Sequence, residues 1–147
     1  MTYKGKFTPR NPQKYRGNPT NIIYRSSWEA RAMRYFDMTD NVLEWQSEEL
    51  AIPYKSPIDG KWHRYFPDFI IKVKDKNSIT KTLMIEIKPN HQTKQPIPKK
   101  IGQRTTKKYL NEVVTYAINS RKWEAAQEYC KDRKWEFVIL TEKELNL

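Results

Sequence analysis

Two short segments of this chain carry acidic side chains at positions where neighbouring β-strands would bring them together. Residues 65–71 contain Asp68, and residues 84–88 contain Glu86. β-Branched and aromatic residues dominate both segments and turn-forming residues bound them, which predicts strands. Because strand side chains alternate between faces, Glu86 and Lys88 project from one side of the second strand.

If the two strands are neighbours, Asp68 lies beside Glu86 and Lys88. Two clustered carboxylates repel each other unless a cation lies between them. Oxygen ligands of this kind suit Mg²⁺ or Mn²⁺. A lysine beside such an ion can orient a water molecule or stabilise the charge that develops on a phosphate. On spacing alone, a solvent-facing aspartate and a surface Glu/Lys pair remain an equal alternative.

The charge distribution points to an anionic partner. The chain has 28 Lys and Arg against 17 Asp and Glu, for a net charge of +11. The excess lies in residues 1–24 and 88–108, which contain no acidic residue, and nucleic acid is the first candidate for such a chain. Ordinary solvated charges are the alternative for both segments. The predicted DNA-binding residues are Lys4, Lys6, Arg10, Lys14, Arg16, Lys94, Lys99, Lys100, Arg104, Lys107 and Lys108.

The remaining composition narrows the possible classes. Cys130 is the single cysteine, which excludes an intramolecular disulfide and a cysteine zinc cluster. The two histidines lack the spacing of a zinc site. No signal peptide and no apolar run of membrane-spanning length is visible. We therefore expect a protein of the cytosol, or of an assembly made there, without a membrane partner.

The N-terminal region predicts an arm followed by a helix. Residues 1–24 contain three prolines and five basic residues, which predicts an extended basic arm without regular structure. Residues 25–147 are expected to form one domain. Ser26 and Glu29 fit a capping box, which starts a helix over residues 26–37. On spacing alone, this capping role explains Glu29 without any catalytic function.

The rest of the chain predicts an α/β fold. A hairpin with its turn at 56–61 is expected to carry Asp68 on its second arm, a strand over 62–74. With the strand that ends at Lys88 it forms a three-stranded meander. A loop over 89–103 then lies beside the acidic residues, and we expect it to be mobile and to contact DNA. Two helices over 105–118 and 121–132 follow, separated by Asn119 and Ser120, and a strand over 135–140 comes last.

This order, with particular residue runs, resembles a known nuclease family. The αβββαβ order with Pro67-Asp68 and Glu86-Ile87-Lys88 is that of the PD-(D/E)xK nucleases. The runs 25–29, 66–69 and 85–89 resemble the TnsA-like type. With the basic opening 3–7 and the stretch 21–29, the chain is most similar to the head-completion nucleases of contractile-tailed phages.

The resemblance implies a restriction-endonuclease-like fold, with a mixed sheet flanked by helices, and metal-dependent hydrolysis of DNA. Asp68 would be the central metal ligand and Glu86 the second, assisted by the Ile87 backbone carbonyl. Glu29 would complete the acidic set, and Lys88 would position and activate the attacking water. The ion implied is Mg²⁺, with Mn²⁺ as a substitute. Endonuclease and exonuclease action both remain open.

The biological setting implied is the finishing of a packaged phage head before the tail joins. Double-stranded DNA is the expected partner, with portal or neck proteins as further candidates. The expected location is the host cytoplasm during assembly, or the head or neck of the virion. Two alternatives remain: a non-catalytic DNA-binding or neck-scaffolding protein on a nuclease-derived fold, and a transposon-end or restriction-like endonuclease.

Overall fold

The computed structural model describes residues 2–98, 100 and 102–145, and Lys99 of the predicted DNA-binding set lies outside them. Short 3₁₀ turns occupy Pro12–Lys14 and Asn90–Thr93. The strands and helices, in chain order, are β1 Thr2–Phe7, β2 Ile22–Ser26, α1 Ser27–Met38, β3 Val42–Ser47, β4 Ile52–Lys55, β5 Trp62–Tyr65, β6 Phe69–Lys74, β7 Thr80–Ile87, α2 Lys107–Arg133 and β8 Glu136–Leu140.

The centre of the fold is a four-stranded mixed sheet in the order β3-β6-β7-β8. The first three strands are antiparallel, and β8 runs parallel to β7. Ile85 and Ile87 of β7 join the core cluster that includes α1, whereas Met84 joins the cluster that includes α2. The predicted α/β fold, a mixed sheet with helices packed on it, is therefore confirmed.

The predicted strand over 62–74 is wrong, because it is two strands in two different sheets. β5 pairs with β4 in a separate hairpin, and β6 pairs with β3 and β7. Asp68 lies in the break between β5 and β6, directly after Pro67, and not on the arm of a hairpin. Proline has no backbone N–H to donate to a strand ladder, so this position favours a crossing from one sheet to another.

The prediction that residues 1–24 lack regular structure is also wrong. β1 and β2 form an antiparallel pair. Tyr15 and Ile22 are buried in the same core cluster as α1 and the central sheet. The Tyr15 ring packs edge-on against Trp45, with 4.7 Å between ring centroids. Aromatic and aliphatic residues that looked like anchors of a loose arm are part of the main core.

A polar network joins this N-terminal segment to the end of α1. The buried carboxylate of Asp37 accepts hydrogen bonds from the backbone N–H groups of Arg10, at 2.8 Å, and Asn11, at 3.0 Å. The Lys14 ammonium donates to the carbonyls of Phe36, Asp37 and Thr39 at 2.7–3.0 Å. A lysine here satisfies the carbonyls that a helix leaves unpaired at its C-terminus.

The two helices predicted over 105–118 and 121–132 are one helix of 27 residues, α2. Its N-cap is Thr106, whose hydroxyl accepts from the Tyr109 N–H at 3.1 Å. The Ser120 hydroxyl bonds back to the Tyr116 carbonyl at 2.8 Å, so this residue stays within the helix instead of ending it. Among the described residues, no helix is long and apolar enough to cross a bilayer.

Only the second half of α2 packs closely on the body. Trp123, Ala126 and Cys130 are buried there. In the first half, Leu110 and Val113 are exposed, although their helical spacing puts these apolar residues on one face. The first turns of α2 therefore pack less closely on the rest of the protein than its second half does.

Candidate active site

Asp68 and Glu86 come together where β6 begins and β7 ends. The Asp68 carboxylate accepts a hydrogen bond from the Ile87 N–H at 2.7 Å. The Asp68 and Glu86 carboxyl groups lie close enough that each affects the pKa of the other. The Tyr65 hydroxyl donates to Glu86 at 2.8 Å. The predicted closeness of Asp68 and Glu86 is therefore confirmed, and the β5–β6 break and the β7 backbone fix it.

Lys88 lies beside the same pair. Its Nζ is 3.9 Å from the Glu86 carboxylate, and its backbone N–H donates to the Leu140 carbonyl of β8 at 3.0 Å. Glu86 and Lys88 thus share a side of the sheet, as strand alternation predicts. Glu86 is buried and Lys88 is partly exposed, which leaves the ammonium able to reach solvent.

Glu29 lies near Asp68 and Glu86, but its carboxylate hydrogen bonds to another group. Its backbone N–H donates to Ser26 Oγ at 3.1 Å, and its own carboxylate accepts from the Arg25 N–H at 3.4 Å. The carboxylate therefore closes the start of α1. Its charge still reaches the pair, because it helps to raise the pKa of Asp68.

The three predicted acids do not form one cluster. Across residues 2–98, 100 and 102–145, no three His, Cys, Asp or Glu side chains are grouped closely enough to hold a metal ion. The expectation that Glu29, Asp68 and Glu86 converge on a single point is corrected to a contacting pair with a third carboxylate beside it. The Glu29 carboxylate instead accepts a hydrogen bond from the Arg25 N–H next to the helix start.

Burial makes the carboxyl pair reluctant to ionise. Burial, followed by the charge of Glu86, raises the pKa of Asp68 well above its usual range. Burial also raises the pKa of Glu86, against the opposing effect of the Lys88 ammonium. If both carboxyls ionise, the site has an excess of negative charge that Lys88 only partly offsets. Its donors are the carboxylate oxygens of Asp68 and Glu86, of the kind that Mg²⁺ and Mn²⁺ prefer, so the residues present fit such an ion.

These raised pKa values predict that stability depends on pH when no metal is present. As pH rises above the ordinary carboxyl range, the unfolded chain loses protons that the folded protein still holds at Asp68 and Glu86. The free energy of unfolding must then fall until the raised pKa values are passed. In EDTA we expect the melting temperature to drop by several degrees between pH 5 and pH 8, since about 1 kcal/mol corresponds to roughly 3 °C in a domain of this size.

Adding Mg²⁺ at pH 8 should restore the lost stability, and Asp68→Asn should flatten the dependence of melting temperature on pH. Differential scanning fluorimetry across pH measures both effects. If the melting temperature of wild type depends on pH in the same way as that of Asp68→Asn, the pKa values of the buried carboxyl pair are not raised.

An ion pair that the sequence pattern does not indicate lies beside Glu29. The Arg25 guanidinium contacts the Glu48 carboxylate at 3.0 Å. Glu48 has a left-handed backbone (φ 52°), and its N–H donates to the Asp68 carbonyl at 3.3 Å. The Glu48 charge helps to raise the pKa of Glu29. Nothing in the local pattern signals Glu48, because its position depends on how the chain leaves β3.

Lys122 of α2 is a second cation that sequence analysis did not find. Its Nζ lies 5.8 Å from the ring centroids of both Tyr54 and Tyr65. Burial, followed by the charge of Lys88, lowers the pKa of Lys122, while Glu86 and Asp68 oppose this shift. Asn119 and Ser120 suggest a helix break just before Lys122, so the sequence does not indicate that Lys122 lies near Asp68 and Glu86.

The predicted DNA-binding cations fall into two groups. Lys14 and Arg16 are engaged elsewhere, Lys14 with the end of α1 and Arg16 with the Glu44 carboxylate at 2.8 Å. The other described members of the set, all with exposed side chains, are Lys4, Lys6, Arg10, Lys94, Lys100, Arg104, Lys107 and Lys108. The second group supplies the cations available for contact with an anionic partner.

Comparison with known proteins decides the family. A family model described as the N-terminal TnsA-like endonuclease domain matches residues 39–142. The chain belongs to the TnsA-like endonuclease family. The family match contains Asp68, Glu86, Lys88 and Lys122, and leaves Glu29 outside it.

One relative extends the match over nearly the whole chain. The head completion nuclease of Enterobacteria phage T4 is 39% identical over 143 residues, which cover 97% of this chain and 93% of that protein. The resemblance noted from the sequence, to TnsA-like nucleases and to head-completion nucleases, is confirmed. The similarity to that relative therefore extends beyond the residues that the family model matches.

Proposed function

We propose that this protein is a metal-dependent DNA nuclease that acts on phage DNA during completion of the head. The observation that carries the proposal is the buried Asp68–Glu86 pair beside Lys88, in a chain of the TnsA-like endonuclease family. The similarity to a head completion nuclease covers almost the full chain, which favours this setting over a transposon-end or restriction-like enzyme.

In this proposal Asp68, Glu86 and the Ile87 carbonyl hold Mg²⁺, for which Mn²⁺ can substitute. When bound, the ion polarises the scissile phosphate and offsets charge on the attacking and leaving oxygens. The buried site keeps the two carboxylates close and limits their competing contacts with water. Glu29 adds negative charge beside the pair, which strengthens the attraction for a cation.

In this proposal Lys88 and Lys122 interact with the attacking water and with the negatively charged phosphate. Lys88 orients the attacking water, since its ammonium lies at the edge of the carboxyl pair and is partly exposed. Lys122 contacts a phosphate oxygen, because its ammonium is half-buried beside the same pair. A fixed cation in a partly desolvated site stabilises developing negative charge more strongly than it would in water.

Exposed lysines and arginines around the site then hold double-stranded DNA through its phosphates. We propose that the protein meets this DNA in the host cytoplasm, at the head or neck of the assembling particle, where portal or neck proteins are the candidate partners. Binding of this kind releases counterions, so the affinity should fall steeply with salt concentration.

Incubation with supercoiled plasmid and with linear duplex, each with and without Mg²⁺, tests the proposal. We expect cleavage that requires the ion and is absent from Asp68→Asn. Nicking of the plasmid shows endonuclease action, and shortening of the linear duplex from its ends shows exonuclease action. DNA binding without cleavage under all conditions would favour the non-catalytic scaffolding alternative.

Lys122→Met is expected to reduce the cleavage rate about tenfold, or roughly 1.4 kcal/mol of transition-state stabilisation. Methionine keeps an unbranched side chain against Tyr54 and Tyr65 and removes the charge. Single-turnover cleavage with saturating DNA measures the effect. The matched control is Lys131→Met, an exposed lysine further along α2, which should cleave at the wild-type rate. Equal rates for both variants would remove Lys122 from the site.

A further inference from the structure

A cleft of about 550 Å³ lies between the segment after β7 and the first half of α2. The 3₁₀ turn Asn90–Thr93, which begins two residues after Lys88, contributes His91 and Gln92 to its lining. The volume is within the range of roughly 300–1,000 Å³ that is usual for small-molecule sites. The cleft is therefore large enough to receive a group the size of a nucleotide, next to the proposed catalytic residues.

The α2 wall of this cleft ends close to a lysine that interacts with the carboxyl pair. Asn119 lines the cleft, and Lys122 lies one turn further along the same helix. The Lys122 charge interacts with Lys88, Glu86 and Asp68. A DNA strand whose scissile phosphate reaches Lys88 and Lys122 can therefore continue along α2 into the cleft.

The cleft contains a buried polar group that lacks a partner. Asn119 is 5% exposed, and its side-chain Nδ2 has no hydrogen-bond partner among the described residues. Buried polar groups are normally paired, and an exception requires an explanation. A ligand that accepts a hydrogen bond from this amide provides one.

The rest of the lining supplies groups that match the parts of a nucleotide. Lys94, Lys107 and Lys108 provide positive charge for phosphate, and Tyr116 offers an aromatic ring on which a base can stack. Glu112 also lines the cleft and can accept hydrogen bonds from the exocyclic amino group of a base. Neither a lipid nor a simple anion would use the ring, the carboxylate and the amide together.

We propose that this cleft binds an unpaired nucleotide of the strand being cut, next to the scissile phosphate. The inference rests on the proposed nuclease function and assigns its substrate class. A base in an intact duplex is stacked and paired, and must be extruded at an energetic cost before it can enter such a site. The enzyme therefore acts preferentially at DNA ends with single-stranded overhangs or at frayed positions.

Binding can be tested separately from cleavage by using Asp68→Asn protein in EDTA. The probes are a duplex with a short overhang that contains one 2-aminopurine, and the same duplex with blunt ends. We expect tighter binding of the overhang probe, with the fluorescence of its 2-aminopurine quenched by stacking. Introducing Tyr116→Leu should weaken overhang binding at least about fivefold and leave binding of the blunt duplex unchanged.

Asn119→Leu provides a second variant, which replaces the amide with an apolar side chain of similar size, and it should weaken overhang binding in the same way. The control is Tyr35→Leu, an exposed tyrosine of α1 that does not line the cleft. Equal binding of overhang and blunt probes, or full quenching in both cleft variants, would overturn the inference. Overhang binding in wild type without any cleavage would instead count against the nuclease function.

Discussion

Replacing Asp68 with asparagine is expected to reduce DNA cleavage at least about 1,000-fold, which corresponds to roughly 4 kcal/mol of transition-state stabilisation. Asparagine has nearly the same shape, and its amide oxygen can still accept the hydrogen bond from the Ile87 N–H. The substitution removes only the negative charge that faces Glu86. The loss of activity would therefore reflect loss of cation binding and not loss of the fold. Single-turnover cleavage of plasmid DNA in Mg²⁺ measures it.

Asp132→Asn is the matched control, because Asp132 is an exposed aspartate near the end of α2. It should cleave DNA at the wild-type rate. In the absence of metal, Asp68→Asn should melt at a temperature no lower than wild type, since the charge it removes is buried and poorly compensated. Substantial cleavage by folded Asp68→Asn would place the active site elsewhere.

Replacing Asp37 with alanine is expected to lower the free energy of unfolding by about 3 kcal/mol. Its carboxylate is buried and accepts hydrogen bonds from the Arg10 and Asn11 N–H groups. Removing one partner of a buried hydrogen bond costs about 1–3 kcal/mol for each polar group left unpaired, and two such groups are left here. The variant should also remove one of the two carboxylates, Asp37 and Asp40, whose charges act on Lys14. Urea denaturation followed by tryptophan fluorescence measures the effect.

Asp40→Ala controls for this substitution, because Asp40 is an exposed aspartate a few residues further along the chain. Changes at exposed positions of this kind usually stay within about 0.5 kcal/mol. An Asp37→Ala midpoint as high as that of Asp40→Ala would mean that the N–H groups find water or another acceptor. The contact between the N-terminal segment and α1 would then be weaker than its geometry indicates.

The sequence was sufficient for those parts of the site that depend on local pattern. The period-two alternation in β7 correctly places Glu86 and Lys88 on one side and Ile85 and Ile87 on the other. The capping box at Ser26 correctly predicts the start of α1. In both cases the signal lies within a few residues and has one physical cause. The closeness of Asp68 and Glu86 followed because two adjacent strands tend to pair.

The remaining features depend on contacts between distant parts of the chain. Lys14 lies in a basic segment of the kind that binds DNA, but its ammonium donates hydrogen bonds to three carbonyls at the end of α1. Asn119 and Ser120 have the local preferences of a helix break, but tertiary packing and a back-bonded hydroxyl keep them in α2. Lys122 could be placed at the site only once that helix was known to be continuous. Glu29 was expected as a ligand, and its capping bond holds it aside.

The way in which the first strands enter the core has a consequence for how DNA binding should be studied. A shortened protein that starts at residue 25 would lose the rings and backbone donors that cover Trp45 and the last turn of α1, together with the basic side chains. Poor solubility or misfolding of such a truncation would give no information about phosphate contacts. Charge-neutralising point substitutions at Lys4 and Lys6, which are exposed on β1, separate the two effects and leave the scaffold in place.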